Sequence, residues 1–62
     1  MKVNTKKLEI VLINNDMNFK DLMQKTNLSS NSITKIRQGQ PVSLRTVSRI
    51  IKTLNIKAQD II

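Results

Sequence analysis

The chain has 62 residues, of which 11 are Lys or Arg and four are Asp or Glu, giving a formal net charge of +7. Length this short holds a single domain, expected to take up all of residues 1–62, and buries only about 60% of the unfolded surface, so the stability margin is thin. Cysteine and histidine are both absent, which excludes a disulfide framework, thiolate or imidazole metal ligands and an imidazole base.

The core must be aliphatic, because nine isoleucines accompany leucines, valines and methionines while Phe19 is the one aromatic residue. Isoleucine suits strands by propensity, so spacing has to decide between helix and strand. Leu8, Val11 and Leu12 lie three and four apart, and Ile10 and Ile13 widen the stripe. A first helix is expected from about Thr5 to Asn14, capped by Asn4 or Thr5. Asn14-Asn15-Asp16 then reads as a break.

Asn18 is placed to cap a second helix, with Asp21 three residues on able to return a bond to the cap's backbone N–H. Leu22 and Met23 point inward, and the helix stops near Thr26, where Asn27 tolerates left-handed backbone. Ser29 caps a third helix, Ser30 to about Gln38, with Ile33 and Ile36 on its buried side. Gly39 terminates it and Pro41 prevents its resumption. Ser43 caps a fourth helix, whose Val47, Ile50, Ile51 and Leu54 fall at i, i+3, i+4 and i+7. Asn55 ends that helix, and Lys57 to Ile62 forms a final turn or short helix. Alternation at period two is sustained nowhere. The fold class is therefore all-α, a compact bundle of four or five helices.

The stretch from Phe19 to Gln38 is the informative one: a helix, a tight turn at Asn27-Leu28-Ser29, and a second helix. Inward residues Leu22, Leu28, Ile33 and Ile36 lock the pair at a steep angle, as in a helix-turn-helix. The outer face of the second of these helices carries Ser30, Asn31, Ser32, Thr34 and Lys35. Short polar side chains at a helix start can approach a major groove closely. Asn31 can pair bidentately with adenine, and Lys35 can reach guanine O6 or N7. Ser30, Ser32 and Thr34 are less selective. Solvation alone would also account for a polar outer face; the spacing of the whole segment and the basic charge favour DNA.

The order of these features resembles the phage repressor and Cro type of helix-turn-helix domain, the family that includes lambda repressor and many small bacterial regulators. The resemblance runs from Leu8 to Ile61 and is densest over Leu28-Ser29-Ser30-Asn31-Ser32-Ile33-Thr34-Lys35-Ile36-Arg37-Gln38-Gly39. Four positions depart from the family pattern. Met23 stands where Ala is usual, Thr26 replaces a larger apolar residue, Asn27 takes a turn position normally held by Gly, and Arg37 stands where an acid is common. The resemblance implies base contacts from Ser30, Asn31, Ser32 and Lys35, with Thr34 as a further candidate. It implies phosphate contacts from Asn18, Phe19 (through its backbone N–H) and Lys20, and from Gln40, Ser43 and Arg45. Helix N-termini offer free N–H groups to phosphates on physical grounds as well. Arg45 has the alternative of entering a narrow minor groove. Arg49, Lys52, Lys6 and Lys7 read equally well as solvated charge.

The expected function is that of a sequence-specific regulator of transcription, a Cro- or repressor-like protein of a phage or mobile element that acts by occupying its operator. Its partners would be a palindromic duplex operator and a second copy of the chain, at least on DNA, with half-sites roughly 34 Å apart. No cofactor or small-molecule ligand is expected. Scattered acids and the lack of a phosphate-cradling glycine loop argue against an enzyme.

A protein-interaction module of antirepressor or antitoxin-like type is the competing reading, with Ile10, Ile13, Ile61 and Ile62 as a candidate exposed patch. A membrane-surface peptide would want one long amphipathic helix with bulky aromatics, and this chain is interrupted at Asn27, Gly39 and Pro41. No stretch approaches the roughly 20 apolar residues of a membrane span. The run after the basic start, Leu8 to Ile13, is too short for a signal-peptide core, so a cytoplasmic location is expected.

Overall fold

Four residues with left-handed backbone punctuate the chain: Asp16, Asn27, Gly39 and Asn55, with φ of 55°, 57°, 73° and 55°. The computed structural model describes all 62 residues, and each of these four positions closes a helix. The helices are α1 (Thr5–Asn14), α2 (Phe19–Thr26), α3 (Ser30–Arg37) and α4 (Leu44–Leu54), followed by a 3-10 turn at Ala58–Asp60. The final turn is shorter than the expected Lys57 to Ile62, and the boundaries of the four α-helices agree with the sequence reading to within one residue.

The caps explain why. Asn4, Asn18, Ser29 and Ser43 each accept a bond from the backbone N–H three residues on, satisfying one of the four orphan donors at each helix start. At Asn18 the exchange is mutual: Asn18 Oδ1 accepts from the Asp21 N–H at 2.8 Å, and the Asn18 N–H donates to Asp21 Oδ2 at 3.1 Å. At the other ends, the N–H groups of Met17, Gln40 and Ile56 reach back to the carbonyls of Leu12, Lys35 and Ile51. These long return bonds need a left-handed residue just before the donor, supplied in turn by Asp16, Gly39 and Asn55. α2 ends differently. Its left-handed residue is Asn27, and the Leu28 N–H donates to the Thr26 hydroxyl, which itself donates to the Leu22 carbonyl at 2.7 Å. The polar Thr26, a departure from the family pattern, is thus buried with its hydrogen bonds made.

Leu8, Leu22, Ile36, Val47, Ile50 and Ile61 are the fully buried side chains at the centre. Val11, Met23, Leu28 and Ile51 are half-buried around them. Two parts of this core escaped the sequence reading. Val3 and Val42 are buried although neither lies in a helix. They are carried there because residues 1–5 are stitched down: Met1 and Val42 exchange two backbone bonds, and the Asn4 N–H donates to the Ile61 carbonyl. The Thr5 hydroxyl adds a bond to the Ile36 carbonyl at 2.8 Å, near the end of α3. The second correction concerns Ile61. Expected as part of an exposed patch, it is completely buried, because the 3-10 turn folds the chain end back under α1 and α4.

Ile36→Ala should cost about 2–5 kcal/mol, enough to leave so small a domain largely unfolded by circular dichroism. Gly39→Ala should cost about 1–2 kcal/mol through left-handed strain, although a Cβ there would meet no atom within 4 Å. Gly39→Asn should lose less than Gly39→Ala in the same urea titration, since Asn accepts that backbone region more readily.

Candidate nucleic-acid interface

α3 is short, and its two isoleucines consume one side of it. Ile33 and Ile36 are buried, while Ser30, Asn31, Thr34, Lys35 and Arg37 are exposed and Ser32 is half-exposed. At 3.6 residues per turn, Ser30, Thr34 and Arg37 line up along one edge of the free face, and Asn31 and Lys35 along the next. No acid lies in the first turn of α3, so the positive end of its dipole is unopposed. Ser29 Oγ holds the Ser32 N–H at 3.3 Å and also lies 3.3 Å from Ser32 Oγ. Ser32 is therefore partly engaged in the cap, whereas Ser30 and Asn31 are not.

The Ser30–Arg37 edge looks across a shallow groove to the start of α2. Phe19, Lys20 and Met23 form one wall of the groove, and Ser30, Ile33, Thr34 and Arg37 the other. The fold thus brings together four of the residues singled out in the sequence: Phe19, Lys20, Ser30 and Thr34. Phe19 and Lys20 are the first residues of α2, so their N–H groups have no acceptor within the helix. Asn18 is held in the capping box that its spacing from Asp21 predicts. Its N–H and its side-chain oxygen are both taken by Asp21, leaving the side-chain NH₂ as its available donor.

Gln40, Ser43 and Arg45 form a separate group on the loop before α4 and on its first turn, and they do not line the α2–α3 groove. Gln40 and Arg45 are exposed. The Ser43 hydroxyl is occupied as a cap, accepting from the Thr46 N–H at 3.2 Å and lying 3.1 Å from the Thr46 hydroxyl. α4 has no acid in its first turn, so this helix start also presents unopposed N–H groups.

Arg37 belongs to the groove and was not among the sequence candidates. Its guanidinium carbon sits 5.4 Å from the centroid of the Phe19 ring, a cation–π contact worth about 0.5–1 kcal/mol at an exposed site. The available signal was its spacing, seven residues after Ser30 and three after Thr34. A second signal is the distribution of charge. From Leu22 to Gln59 the chain has no acid but carries Lys25, Lys35, Arg37, Arg45, Arg49, Lys52 and Lys57. The acids lie beside α1 and at the start of α2: Glu9, Asp16 and Asp21 beside Ile13 and Met17, and Asp60 near Ile10.

The separation of cap from groove is testable. Ser29→Ala should lower stability by about 0.5–2 kcal/mol in chemical denaturation. Ser30→Ala, one residue on but outside the cap, should leave stability within about 0.5 kcal/mol of the parent.

A family model for the Cro/C1-type helix-turn-helix DNA-binding domain matches residues 7–62. No curated protein sequence matches the chain. Among solved structures, the crystal structure of the transcriptional regulator VanUg (Form II) is similar, with a TM-score of 0.90 and 30% sequence identity. That similarity covers 97% of this chain and 80% of the other. The family match takes in α2, the turn at Asn27 and α3 without interruption, and the chain belongs to the family of Cro/C1-type helix-turn-helix DNA-binding domains.

Proposed function

We propose that the protein is a sequence-specific regulator of transcription that lays α3 in the major groove of duplex DNA and represses by occupying its operator. The observation that carries this reading is the exposed outer face of α3, polar and basic and free of acids, on a helix whose other side is anchored by Ile33 and Ile36. An eight-residue helix is about 12 Å long, comparable with the roughly 12 Å width of the groove. The name of the similar structure, a transcriptional regulator, supports the same reading.

In this account Asn31 and Lys35 read base edges, with Ser30, Ser32 and Thr34 beside them. Phosphates are held at the start of α2 by the Phe19 N–H and Lys20, with the Asn18 side chain, and at the start of α4 by Gln40, Ser43 and Arg45. Two helix starts then hold the DNA backbone while α3 reads the bases, as phosphate contacts that fix register do. A single copy measures 24 × 22 × 19 Å between Cα atoms, less than the roughly 34 Å repeat of the duplex. One copy therefore reads one half-site, and two copies on a palindrome are the arrangement that gives useful affinity. An origin in a phage or mobile element belongs to the same proposal.

One observation favours a second reading, in which another protein is the main partner. Ile10 and Ile13 are 58% and 73% exposed, and Ile10 borders a groove with Val11 and Ile56. An apolar ridge of this kind is a common mark of protein contact.

Selection from a randomised duplex pool at physiological salt separates the readings, because non-specific binding there is weak, about 10⁻⁴ to 10⁻⁶ M. The expected result is a short palindromic motif. Asn31→Ala and Lys35→Ala should each relax one position of it, at about 1–3 kcal/mol. A retained pool that stays random would contradict base readout and favour the protein partner.

A further inference from the structure

Arg37 takes no part in the base and phosphate contacts proposed above, yet its guanidinium lies over an aromatic ring in the α2–α3 groove. Its side chain leaves α3 at the far end of the Ser30–Thr34 edge and turns back over the Phe19 ring. Phe19 is also the first residue of α2, so the residue that supports the guanidinium presents an unpaired N–H. Lys20 follows it, with a second such N–H and a second cation in the same groove. The one acid near this point, Asp21, is engaged with Asn18.

We infer that Arg37, stacked on Phe19, is a further phosphate-binding residue and completes an anion cradle with the Phe19 and Lys20 N–H groups; this rests on the DNA-binding reading of the α2–α3 groove. A guanidinium lying against a ring keeps the N–H groups of its edge free, and their planar fork fits two oxygens of one phosphate. The ring fixes the direction of that fork before DNA arrives, so little side-chain freedom is lost on binding. The ligand is a phosphodiester of the DNA backbone, so the contribution should be the same for every sequence.

The experiment is a salt titration of duplex binding by the full chain, on the selected operator and on an unrelated duplex, for the parent, Arg37→Gln and Arg37→Lys. Arg37→Gln should reduce the slope of log K against log salt by about 0.9, the value for one phosphate contact, by the same amount on both duplexes. Arg37→Lys keeps the charge and should keep the slope. It should lose roughly two- to tenfold in affinity, the cost of ordering on the phosphate a side chain no longer preorganised by the ring.

Thermal melting of each variant is followed in parallel, because Arg37 also bridges α2 and α3. A folded Arg37→Gln with an unchanged slope would overturn the inference and leave Arg37 as a strut between helices. Arg37→Lys indistinguishable from the parent in affinity would overturn it too, even if Arg37→Gln did not fold. A parent protein that bound neither duplex would fail earlier, by removing the DNA reading itself.

Discussion

α3 depends on two side chains. An isolated helix of eight residues is unstable in water, because the cost of nucleation is never recovered over so few bonds. Ile33 and Ile36, three residues apart and both buried, give α3 its place against the core. The Thr5 hydroxyl adds a bond to the Ile36 carbonyl from across the molecule. Because anchoring is confined to that one stripe, the rest of the α3 circumference has no packing duty. The groove toward α2, the free edge at Ser30 and Thr34, and the position of Arg37 all follow from that division.

The same economy of means governs the turns. This chain has one glycine but four left-handed residues, and Asp16, Asn27 and Asn55 fill the positions where glycine would be easiest. Asp and Asn tolerate that backbone better than other side chains, at some cost in strain. Using them restricts the unfolded chain more than glycine would, which helps a domain with so small a core. α2 shows how a local compensation works: Thr26 supplies by its hydroxyl the bond to Leu28 that the other helices obtain from a carbonyl.

Helix positions were legible in the sequence because caps and terminators are local. Asn18 with Asp21, Ser29, Ser43, Gly39 and Asn55 announce their roles within three or four residues. Val3, Val42 and Ile61 were not legible, since they are buried by backbone pairings that bring Met1 to Val42 and Asn4 to Ile61. No periodicity encodes such long-range pairing. At the candidate interface, the exposed face of α3 could be read from the inward positions of Ile33 and Ile36. Arg37 over Phe19 could not, because a contact between residues 18 positions apart needs the crossing of α2 and α3 to be known. Asn18 and Ser43 were legible as caps, and what the fold adds is which of their atoms remain for a second role.

The account thus gives the molecule two unlike sides. Cations without acids mark α3 and the start of α4, whereas Glu9, Asp16 and Asp21 gather around the exposed Ile13 of α1 and reach the start of α2. The most direct test maps backbone amide shifts by NMR as a selected duplex is added to the labelled protein. The account predicts the largest changes at Ser30 to Lys35, at Phe19 and Lys20, and at Leu44 and Arg45, with Ile10 and Ile13 almost unmoved. Changes centred on Ile10 and Ile13, with α3 silent, would contradict it.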